Sequence, residues 1–103
     1  MNKESLVKTF DCSDLFDLIM NGNDPVANYQ FITSNYGTSP DEAMMELSRN
    51  FADFIRMNYP QYVTKLPYVI ITLAEYMSQL PSAPDRLLVL LACCFKIQTL
   101  LRS

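Results

Sequence analysis

Apolar residues recur at helical spacing along this chain, and proline and glycine cut the pattern into separate segments. The first segment spans residues 6–20, with Leu15, Phe16, Leu18 and Ile19 as its apolar side. Gly22, between Asn21 and Asn23, stands where a helix C-terminus should fall. Within this segment Ser13 followed by Asp14 has the chemistry of a cap and an acidic first turn, so a break near Cys12 is expected. Asp24-Pro25 opens a second segment, because aspartate can accept from free first-turn amides and proline's fixed φ suits the first helical position. Val26, Tyr29, Ile32 or Thr33, and Tyr36 follow at helical spacing, and Gly37 closes the run.

Ser39-Pro40-Asp41-Glu42 is the strongest start signal, since a serine with a glutamate three residues later can form a capping box. The third segment extends from there to about residue 58. Met44, Leu47, Phe51, Phe54 and Ile55 form one stripe. Asp41, Glu42, Glu46, Arg49, Asn50, Asp53 and Arg56 lie largely off it, the pattern of a helix on the outside of a bundle. Arg49 and Asp53, four apart, are expected to pair for a few tenths of a kcal/mol, as is usual at about that spacing.

Pro60 ends this helix, because proline removes a backbone donor and disfavours helix in the residue before it. Residues 61–65 read as a short helical turn, and Pro67 starts a fourth helix reaching about residue 79. Its expected apolar side is Val69, Ile70, Leu73, Met77 and Leu80. The β-branched run 69–72 also suits a strand, but no second segment reads as its partner. Ser82 or Ala83 is the expected cap of the final helix, with Pro84 opening it and Asp85 favouring its positive end. Residues 87–95 carry no polar side chain beyond two cysteine thiols, so this helix needs cover on most sides. Its polar residues Arg86, Lys96, Gln98, Thr99 and Arg102 spread around the axis. The expected architecture is all-α: one domain, residues 1–103, a compact bundle of about five helices. An apolar C-terminal helical hairpin sits at its centre. Leu88, Leu91, Phe95 and Ile70 are the expected costly truncations. Arg102-Ser103 reads as a candidate expression remnant.

Charge changes the picture more than composition does. The net charge of −3 hides an asymmetry: residues 1–48 carry a net −6, residues 49–103 a net +3. Between Lys8 and Arg49 there is no basic residue. This can be a solvated face, or an acidic surface that steers a basic protein into place. Direct nucleic-acid binding is not expected, because phosphates require clustered lysine and arginine. A membrane span is not expected either, since the two apolar helices fall short of about twenty residues and carry Glu75 and Lys96.

The sequence offers little chemistry. With no histidine, the usual general base, metal ligand and nucleophile triad are missing. Cys12, Cys93 and Cys94 are unspaced and odd in number, which fits buried core thiols in a reducing cytoplasm, and the first fifteen residues lack a secretion signal. Acids beside Cys12 should raise its thiol pKa, the wrong direction for a nucleophile. No catalytic, cofactor or metal site is expected.

The leading expectation is a non-enzymatic protein–protein interaction module: an acidic adapter, assembly chaperone, regulator or inhibitor. Its candidate partner-binding residues are Asp14, Asp17, Asp41, Glu42, Glu46, Tyr59, Tyr62, Tyr68, Leu100 and Leu101. Tyrosine rings suit interfaces because they are apolar with a polar tip. Two alternatives come from other classes. One is a small enzyme working through carboxylates alone, which needs two acids converging in a pocket. The other is a structural homo-oligomer, or homodimer, pairing through the C-terminal helix.

Overall fold

The computed structural model describes residues 11–103. Five α-helices follow in chain order: α1 (Ser13–Asn21), α2 (Pro25–Tyr36), α3 (Pro40–Asn58), α4 (Leu66–Gln79) and α5 (Arg86–Arg102). Two 3-10 helices, Pro60–Lys65 and Leu80–Ser82, bracket α4. No strand occurs among the described residues, so the run 69–72 is helical. The portion of the expected first helix before Asp11 lies outside the described residues.

The helix starts divide by backbone geometry. Asp24 and Asp85 are extended, with ψ of 107° and 104°. In that conformation each carboxylate accepts from two first-turn amides, Val26 and Ala27 in α2, Leu87 and Leu88 in α5. Asp85, rather than Ser82 or Ala83, is therefore the cap of α5. Ser39 has ψ of 47° and its hydroxyl makes no capping bond, so the expected capping box with Glu42 does not form. Cys12, rather than Ser13, precedes the first helical residue of α1, whose first turn is held by Asp11 accepting from the Ser13 amide.

α5 is the central element and packs against all four other helices. Leu90, Cys93, Cys94 and Ile97 are fully buried along it, with Val89, Leu91 and Leu101 nearly so. α4 lies beside it, antiparallel, packed against α3 and α5. The expected α3 stripe is observed, with Met44, Leu47, Phe51 and Ile55 fully enclosed and Phe54 partly so. Phe51 and Phe54 each meet Phe16 of α1 edge-on at 5.3 Å, an arrangement that aromatic rings favour.

Two helices are rotated from the expected side, each by a hydrogen-bonded polar side chain that turns inward. In α4, Thr72 is buried where Ile70 was expected. Its hydroxyl donates to the Tyr68 carbonyl one turn back (2.8 Å), so no polar group is stranded by the burial. Ile70 consequently faces out, 52% exposed. In α2, Asn28, Ile32 and Tyr36 face in, while Val26 and Tyr29 face out. Asn28 is drawn inward by a polar knot. Its amide donates to the Gly22 carbonyl and to Gln98 Oε1, and Gln98 Nε2 donates to the Leu18 and Gly22 carbonyls.

This knot caps the C-terminus of α1 with side chains from α2 and α5, satisfying carbonyls that a helix end leaves free. Arg102 completes it by donating to the Gly22 carbonyl at 2.8 Å, so Arg102 is a working part of this fold. Gly22 is extended, with φ of −70°. A side chain there would meet Asn28 Oδ1 at 2.5 Å, so close approach, not a left-handed turn, excludes a Cβ. Leu88, an expected core residue, is 62% exposed, while Leu91 is buried and Phe95 half-buried. Arg49 does not take Asp53, which pairs instead with Arg56 at 2.9 Å on an open surface.

Candidate interaction surface

The side of α4 left after the core closes is apolar. Val69, Thr72 and Leu73 point inward, as does Leu80 in the 3-10 turn that follows. Pro67, Ile70, Ile71 and Ala74 are exposed, and their spacing of three, four and seven residues puts them on one face. Ile71 is 55% exposed and Tyr68, on the flank, 60%. No charge lies between Lys65 and Glu75. A face this apolar is what a water-exposed helix ordinarily avoids.

Tyr68 and Leu100 come together at one end of this helix. With Thr64, Lys65 and Ser103 they line an open depression of about 360 Å³. The Lys65 ammonium donates to the Leu100 and Ser103 carbonyls at 3.3 and 2.8 Å and so closes the C-terminus of α5. Leu101 is elsewhere: it is buried in the core and offers nothing to a partner. Tyr59 and Tyr62 are half-buried, their rings 6.4 Å apart, and continue the ring contacts of Phe51 and Phe54 toward the edge of the core. The Tyr59 hydroxyl accepts from Asn21 Nδ2.

The acidic candidates divide into separate settings. Asp14 and Asp17 are exposed on α1. Asp41 pairs with Arg86 at 3.6 Å, which draws a base from α5 into the acidic half. Glu42 is exposed, and Glu46 is partly buried and accepts from Asn50. Glu46 and Asp11 both act electrostatically on Cys12, and Asp14 and Asp11 act on Tyr36, so these acids gather around the Cys12–Tyr36 pair. A second depression, about 440 Å³, is lined by Gly37, Pro40, Ala83, Pro84, Asp85, Arg86 and Leu87. Neither depression holds two carboxylates, and Asp85 in the second is already capping α5. No group of three cysteines or acids among the described residues is placed to hold a metal ion. Nor is any helix among them long and apolar enough to cross a membrane.

No family model, curated protein or solved structure matches this chain.

The three cysteines are free and buried. Burial, opposed by the hydrogen bond with Tyr36 and helped by the charges of Glu46 and Asp11, pushes the Cys12 thiol up to about 11. Burial likewise raises Cys93 to about 12, Cys94 well above the usual thiol range, and the Tyr36 phenol. The direction for Cys12 matches the expectation from its acidic neighbours, but desolvation is the larger cause. The linkage is direct. Below the ordinary thiol value of 9.0 both folded and unfolded chains hold these protons, and stability is unaffected. Above it the unfolded chain ionises first, so stability falls as pH rises from 9.0 toward the folded values of about 11 and 12. Melting temperature measured across this window should be flat on the acid side of it and decline steadily on the alkaline side. Aromatic-disulfide titration at neutral pH should label no thiol in the native protein and all three in urea.

Proposed function

We propose that this chain is a non-enzymatic protein-interaction module that binds a protein through the outward face of α4. The observation that supports it is the uncharged, exposed set Pro67, Ile70, Ile71 and Ala74 on a helix whose other side is already committed to the core. Tyr68 and Leu100 extend this surface into the depression at its end. The acids of α1 and α3, including Asp14, Asp17, Glu42 and Glu46, supply long-range attraction for a basic partner. Asp41 contributes less, because Arg86 partly neutralises it. Burial at the apolar face supplies the lasting contact, since exposed charge is screened within about 8 Å at physiological salt. A cytoplasmic setting suits three reduced, buried thiols.

The test compares proteins retained by immobilised wild type with those retained by Ile71→Lys and by an Asp14→Lys, Asp17→Lys double variant. A specific partner should be lost with Ile71→Lys at every salt concentration. The double variant should bind more slowly at low salt and match wild type at high salt. A retained set identical for all three proteins would contradict the reading.

A further inference from the structure

We draw no further inference here: the strongest candidate, the exposed apolar face of α4 formed by Pro67, Ile70, Ile71 and Ala74, belongs to the surface already described, and nothing in the structure shows what covers it.

Discussion

Phe51→Ala is expected to reduce unfolding free energy by about 3–5 kcal/mol, the usual range for removing a fully enclosed phenylalanine. Phe51 has no solvent exposure. Its ring meets Phe16 edge-on at 5.3 Å and lies nearly parallel to Phe54 at 6.3 Å. Truncation removes the ring that α1 and α3 share and leaves a space that the neighbours on two helices cannot both move to fill. A domain of this size is stable by roughly 5–15 kcal/mol, so the variant would be marginal. Urea unfolding followed by circular dichroism measures the loss. Leu88→Ala serves as the control: its side chain is mostly in solvent, and a change within about 0.5 kcal/mol is expected. A loss at Leu88 comparable to that at Phe51 would mean that α5 is rotated from the orientation described.

Gln98→Glu is expected to be the most damaging polar substitution, costing at least about 2 kcal/mol near neutral pH. Gln98 is buried, and its Nε2 donates to the Leu18 carbonyl at 3.0 Å and to the Gly22 carbonyl at 3.4 Å. A carboxylate has no hydrogen to donate and would stand against two carbonyl oxygens. Arg102, which donates to the same Gly22 carbonyl, keeps its charge and further N–H groups close by and would offset only part of this cost. Burial and these oxygens would hold the new carboxyl protonated to higher pH in the folded chain than in the unfolded one. The destabilisation should then shrink as pH falls toward the ordinary carboxylate range. Thermal melts at several pH values test this. A loss of stability that does not vary with pH would show that packing, not charge, is responsible.

The segmentation of this chain was legible because its punctuation is local chemistry. Asp24-Pro25, Pro40 and Pro60 mark boundaries through φ, a missing amide or a capping carboxylate, and none of these depends on distant residues. Helix rotation was less legible. The choice between Ile70 and Thr72 as the buried residue of α4 turns on a hydroxyl bond within the helix, which apolar periodicity does not register. The inward turn of Asn28 depends on Gln98, seventy residues away. Hydrophobicity alone also could not separate Leu100 from Leu101: one helical step of 100° puts the first at the mouth of a depression and the second in the core. The outward α4 face was missed for the same reason, since Ile70 read as core. One signal was present: an apolar set at positions 67, 70, 71 and 74 running beside Val69 and Leu73 makes α4 apolar on more sides than a single core contact needs.

The double variant Ile70→Lys, Ile71→Lys separates an outward contact face from a core position, because a core residue and an interface residue respond to lysine in opposite ways. Its urea unfolding and its retention of a protein partner should be measured together. If these side chains form an outward contact face, unfolding free energy should stay within about 1 kcal/mol of wild type, and the partner that wild type retains should be lost. Loss of the cooperative unfolding transition would place Ile70 and Ile71 in the core and contradict the account.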